Sequence, residues 1–127
     1  MAYIATGSEK DYVGKPYKNA KGNTECVVFV QQVSRAPLTT DWKKGKHVKD
    51  AKPGDIPVGT AIATFDDSDK YPTDDKGKHA AIYLSHTAVG ITVLDQWASQ
   101  GMVKKRTITY KQNGKRSNDG DTFYVID

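Results

Sequence analysis

Residues 21–33 read KGNTECVVFVQQV, and the way this stretch folds decides the rest of the chain. Val27, Val28, Phe29 and Val30 are β-branched or aromatic and would suit a strand. Just ahead of them, however, Asn23 and Thr24 are good helix N-cap types, and Cys26, Phe29, Val30 and Val33 fall on one helical face. The cap and the length of the run favour a helix over 24–34. Cys26, the only cysteine of the chain, then stands in its first turn. A thiol there feels the positive end of the helix dipole, which favours thiolate. A lone cysteine can equally be a small core hydrophobe, so its role depends on what the fold sets beside it.

Around that helix the punctuation changes twice. Residues 1–22 mix polar and aromatic residues with Gly14, Pro16 and Gly22, and read as loops with a short helix. Residues 35–59, broken by Pro37, Gly45, Pro53, Gly54, Pro57 and Gly59, read as loop with a turn at KPGD. From Thr60 onward short β-rich runs follow: TAIATF, HAAIYL, ITVLDQW, VKKRTITY and TFYVID. One helix followed by about five strands predicts an α+β domain with an antiparallel sheet.

At 127 residues, 37% hydrophobic and 27% charged, the chain predicts a single domain over 1–127 and excludes general disorder. Apolar runs such as CVVFV are far shorter than the ~20 residues of a membrane span, so no membrane insertion is expected. MAYIATGSEKDY has neither a basic leader nor an apolar core, which predicts synthesis in the cytoplasm without a signal peptide. A single cysteine excludes an internal disulfide. The net charge of +4 favours encounter with polyanions. A basic module that binds nucleic acid or another polyanion is therefore a rival reading, although no nucleic-acid motif is present.

Three histidines could serve the thiol. His47 and His86 lie in polar, turn-prone surroundings typical of surface residues. His79 heads the apolar strand HAAIYL, at a sheet edge against the core. If the hairpin to ITVLDQW is centred near Thr87, Asp95 lies directly opposite His79, where it could orient the imidazole. A shifted register would bring Gln96 there instead, and alternation also permits Asp95 to face solvent. Helix-start cysteine, strand-start histidine and cross-strand acid follow the chain order of cysteine proteases. No HExxH or CxxC spacing suggests a metal, and no cofactor is implied.

Four pieces in order, TECVVFVQQV, WKKGKHV with AKPGDIPVGTAIATF, GKHAAIYL and VLDQW, resemble the papain-like peptidoglycan hydrolases, the NlpC-type peptidases and CHAP amidases. Small size and wording are most similar to the compact amidase effectors of type VI secretion. The resemblance implies Cys26 as nucleophile, His79 as general base and Asp95 as orienting residue, acting on peptidoglycan stem peptides. GNTEC departs from the family wording, so only the Cys26 backbone N–H can be named as an oxyanion donor. A papain-like deamidase or transacylase toxin is the alternative within the same fold. The resemblance further implies export by a contact-dependent apparatus to the periplasm of a target bacterium, a periplasmic immunity protein, and a monomer as the default.

The segment DDSDKYPTDDKG places five aspartates in residues 66–75, shortly before His79. It lacks the ligand layout of an EF-hand and reads either as a solvated connection or as a cleft wall, with Asp74 and Asp75 as candidate contacts for a stem-peptide amine or an inhibitor protein. Trp97 and Gln96 are the other expected substrate contacts, with Trp42 as a further cleft or core aromatic. VKKRTITY and KQNGKR form the expected basic face.

Overall fold

The structure, a computed structural model, describes residues 2–111 and 114–127. Six strands form one antiparallel sheet: β1 (Lys44–His47), β2 (Ala61–Thr64), β3 (Ala80–His86), β4 (Gly90–Asp95), β5 (Lys104–Thr109) and β6 (Phe123–Ile126). Their order in the sheet is β1-β6-β2-β3-β4-β5. Helix α1 spans Glu9–Tyr12 and helix α2 spans Cys26–Ser34. The α+β expectation holds, with one strand more than the five expected. The addition is β1, drawn from a stretch expected as loop; KGKH has no apolar alternation and gains its place by pairing with the edge of β6.

Both faces of the sheet are covered, which is why β2 and β3 read as nearly continuous apolar runs. On one face Ala61, Ala63 and Ala80 are fully buried and small, leaving room for Phe29 and Val30 of α2 to pack closely. This contact resolves the strand-or-helix conflict in VVFV in favour of helix. The other face buries Ile62, Tyr83, Ile91, Val93, Ile108 and Phe123 beneath Val48 and Ile56. Helix α2 stops at Arg35, which adopts a left-handed conformation (φ 63°) and donates its N–H to the Gln31 carbonyl.

The start of α2 departs from expectation. Glu25, not Asn23 or Thr24, occupies the N-cap position, and no side chain caps the helix. A tertiary contact holds this end instead: Gln96 Nε2 donates to the Glu25 carbonyl at 2.9 Å and to the Tyr17 carbonyl at 2.7 Å. Its Oε1 accepts the Tyr17 N–H at 3.0 Å. Gln96 therefore locks Cys26 beside the end of β4.

His47 and His86 are also more engaged than expected. His86 is buried between the Tyr83 hydroxyl and the Ala51 carbonyl. His47 bridges Asp50 and the Asp121 carbonyl. Among the described residues no helix is long and apolar enough to cross a membrane. The basic stretch KQNGKR includes 112–113, which lie outside the described residues.

Candidate active site

Cys26 begins α2, His79 immediately precedes β3, and Asp95 ends β4. The expected hairpin register is corrected. An irregularity between Tyr83 and Ser85 shifts the pairing, and Ile82 pairs with Leu94. Asp95 thus stands across from Ala81, with His79 its diagonal neighbour on the same face. Side chains still bridge that diagonal. His79 Nε2 lies 2.7 Å from Asp95 Oδ2, with the two residues 4% and 0% exposed.

The same carboxylate oxygen accepts a hydrogen bond from Arg106 Nε at 2.8 Å. Arg106 pairs with Val93 across β4 and β5, and its guanidinium lies over the Trp97 ring, 5.0 Å from the centroid. A buried carboxylate is costly unless paired, and this one holds two cationic or cationisable partners.

Cys26 and His79 perturb each other. Burial pushes the Cys26 thiol up, but hydrogen bonding and charge from His79 outweigh it. The Ala80 backbone and the Tyr71 hydroxyl add to that effect, and the thiol settles below its ordinary value. For His79, burial disfavours the charged form. The Asp95 hydrogen bond, then the hydrogen bond and charge of the sulfur, overcome that penalty and raise its pKa to about 9. An opposite charge at close range typically moves a group by ~1–3 units, enough to compete with burial. Because Asp95 takes Nε2, Nδ1 is the imidazole nitrogen left to the sulfur.

Tyr71, which no sequence pattern marked, places its hydroxyl 3.8 Å from Cys26 Sγ. Its ring packs edge-on against buried Trp42, with centroids 4.9 Å apart. Burial is the main cause that holds the Tyr71 hydroxyl protonated, and the neighbouring sulfur adds to it. The aspartate-rich loop delivers this residue. Asp69 pairs with Lys44 at 3.0 Å on one side of Tyr71, and Asp74 pairs with Arg116 at 2.7 Å on the other.

Two open depressions meet at this site. One, of about 370 Å³, is lined by Cys26, Glu25, Tyr71, Lys78 and Trp97. The other, of about 340 Å³, is lined by His79, Lys78, Trp97, Arg106, Ser117 and Asn118. Of the expected substrate contacts, Trp97 lines both. Gln96 is fully buried, its amide engaged by backbone. Asp74 is tied to Arg116, whose hydrogen bond is the leading cause that lowers its pKa to about 2, and Asp75 is exposed beside it. Neither aspartate lines the two depressions. Among the described residues no cluster of three or more His, Cys, Asp or Glu could hold a metal ion.

A helix-start thiol facing a strand-head imidazole backed by a carboxylate, on a covered antiparallel sheet, defines a protein of the papain-like class. Comparison with known proteins narrows this. Residues 2–126 match the family Domesticated amidase effector 2, and the chain belongs to it. The chain is 41% identical over 106 residues to the Domesticated amidase effector 2 of Ixodes scapularis, covering 81% of this chain and 70% of that protein. It is 37% identical over 115 residues to a type VI secretion amidase effector 2 protein of Salmonella typhi, covering 81% and 84% of the respective chains. The solved structure of type 6 secretion amidase effector 2 superposes with a TM-score of 0.83 at 28% identity, over 97% of this chain and 93% of the other. The resemblance to small amidase effectors is thereby shown, and it is favoured over a basic polyanion-binding module.

Proposed function

We propose that this amidase-effector family member is a cysteine amidase or endopeptidase that hydrolyses peptide bonds in peptidoglycan stem peptides or cross-links. The observation that carries the reading is the placement of Cys26 at the start of α2 beside the buried His79–Asp95 pair, where two open depressions meet. The Cys26 thiolate attacks the scissile carbonyl carbon, and the carbonyl π pair moves onto oxygen. The Cys26 backbone N–H donates to that oxyanion. Tyr71, held protonated and adjacent to the sulfur, supplies the second donor. The imidazolium passes its Nδ1 proton to the departing amine as the C–N bond breaks. His79 then takes a proton from water, whose oxygen attacks the thioester and releases the carboxylate product with the thiolate restored. Throughout, Asp95 keeps the Nε2–H bond and fixes the ring.

The names of the relatives support delivery by type VI secretion, and the periplasm of a target cell, where the wall lies, is the destination we infer. We further infer a small immunity protein in the producer that covers the cleft. The test is digestion of purified sacculi by the wild type and by Cys26→Ala, with released muropeptides identified by mass spectrometry. New peptide termini with the wild type alone are expected. Equal release by both proteins, or none by either, defeats the reading.

A further inference from the structure

The depression on the His79 side is rich in donors that have no partner. Lys78 lies exposed between the two depressions, and among the described residues its ammonium makes no hydrogen bond or ion pair. Arg106 uses Nε for Asp95 and the face of its guanidinium for Trp97, and no partner engages its Nη atoms. The side chains of Ser117 and Asn118, on the opposite wall, likewise make no hydrogen bond among the described residues. Two acidic groups nearby are already engaged. Asp95 is buried against His79 and Arg106, and Asp74 is held by both terminal guanidinium nitrogens of Arg116, at 2.7 and 3.1 Å. What remains is a partly enclosed site that offers one unpaired cation, Lys78, the free Nη donors of the Asp95-paired Arg106 and two neutral polar groups, with no carboxylate among its lining residues.

We propose that this depression is a carboxylate-binding subsite, and that it takes a free carboxylate on the residue whose amine departs. The side of the cleft follows from the chemistry, and to that extent the inference rests on the hydrolase reading above. His79, which protonates the leaving amine, lines this depression, whereas Cys26, which retains the acyl group, lines the other. The amine-bearing residue therefore lies over Lys78 and Arg106. A carboxylate placed there accepts charge-assisted hydrogen bonds from Lys78 and the Arg106 Nη atoms, and these carry the orientation of the substrate. Stem peptides carry such carboxylates next to their amide links, so the subsite selects among wall bonds by the acid beside the nitrogen.

The test compares kcat/KM on cross-linked muropeptide dimers with that on the same dimers after carbodiimide-mediated amidation of their carboxyls. The wild type is expected to prefer the free acids by roughly 5- to 10-fold, the scale of a partly exposed charge pair in a recognition site. Lys78→Met should reduce that preference at least threefold, and Lys78→Arg, which keeps the charge, should retain it. A wild type that is indifferent to amidation overturns the subsite, as does a preference that survives Lys78→Met or is lost equally in Lys78→Arg. Cys26→Ala run in parallel separates the two failures. If it is inactive while the wild type ignores amidation, only the subsite falls. If it cleaves like the wild type, the hydrolase reading falls with it.

Discussion

Asp95 Oδ2 receives both His79 Nε2 at 2.7 Å and Arg106 Nε at 2.8 Å, so one buried oxygen holds two partners of the same sign tendency. The imidazole is oriented by a carboxylate that is itself immobilised from the neighbouring strand. Asp95→Asn keeps the shape but removes the charge. It also allows the wrong tautomer, because an amide oxygen and an amide nitrogen are then both available to the ring. Wall hydrolysis is expected to fall about 10²- to 10³-fold, measured as kcat/KM on muropeptide dimers.

The same variant has a signed effect on pH. In the folded protein His79 is raised from 6.5 to about 9, so the stability from its charged form is fully present below 6.5 and is lost as pH rises through about 9. Cys26 is lowered, so its thiolate persists below the ordinary 9.0. Activity should therefore rise with pH through the lowered thiol and fall near 9 as His79 loses its proton. In Asp95→Asn the descending limb should move to lower pH. An unmoved limb would mean that Asp95 does not set the basicity of His79.

Alkylation isolates the thiol from the rest of the chemistry. Iodoacetamide reacts with thiolate, so its rate against pH reports the Cys26 ionisation directly. In the wild type the midpoint should lie below 9.0, and in His79→Ala it should move to 9.0 or above, since burial then acts without its main opponent. A midpoint that stays put in His79→Ala would show that the ring does not activate the sulfur.

Helix α2 and the core strands were legible because their residues carry local signals. Phe29 and Val30 share a helical face, and β2 to β4 are apolar runs bounded by turns. Cys26 and His79 stood out because each heads such an element. Strand β1 was hidden because its burial alternates only weakly and its pairing comes from β6. The irregularity at Tyr83 and Ser85 leaves no mark in SHTAVG, so the diagonal placement of Asp95 could not be foreseen. Tyr71, Lys78 and Arg106 belong to the site through loop and strand placements that involve distant partners, Lys44, Arg116 and Asp95. Periodicity carries no information of that range.

Tyr71 can be separated from the general packing of its loop by deleting one atom. Tyr71→Phe keeps the ring against Trp42 and removes only the hydroxyl near the sulfur. Loss of one oxyanion donor is expected to lower kcat about 10- to 10²-fold, toward the lower end for a single side-chain hydroxyl, with KM little altered. Alkylation by iodoacetamide forms no oxyanion, so its limiting rate at high pH should hold near the wild-type value. Parallel losses in both assays would assign Tyr71 to the thiolate and not to the carbonyl oxygen.

Gln96 tests how far the position of Cys26 depends on a buried amide. Its three hydrogen bonds tie the Tyr17 backbone and the Glu25 carbonyl to the end of β4. Gln96→Leu approximates the volume and leaves those backbone groups without partners. Each unsatisfied buried group costs about 1–3 kcal/mol, so a loss of roughly 2–4 kcal/mol in urea denaturation is expected. Wild-type stability in this variant would mean that the helix start is held elsewhere.

Gly77 lies between the aspartate loop and the strand that begins at Ala80. Its φ of 101° lies where L side chains are strained, and an added Cβ would come within 2.8 Å of the Arg116 backbone nitrogen and of Lys115 Cβ. That close approach lets the Arg116 N–H reach the Lys76 carbonyl at 3.0 Å, and it sets the 115–118 turn as a wall of the depression beside His79. In Gly77→Ala the backbone strain and the clash act together, and a loss of about 1–3 kcal/mol is expected. The turn must move off the loop, so kcat/KM should fall more than the fraction unfolded accounts for, measured well below the melting temperature. If stability drops but the activity of the folded fraction is intact, the wall formed by residues 115–118 takes no part in holding substrate.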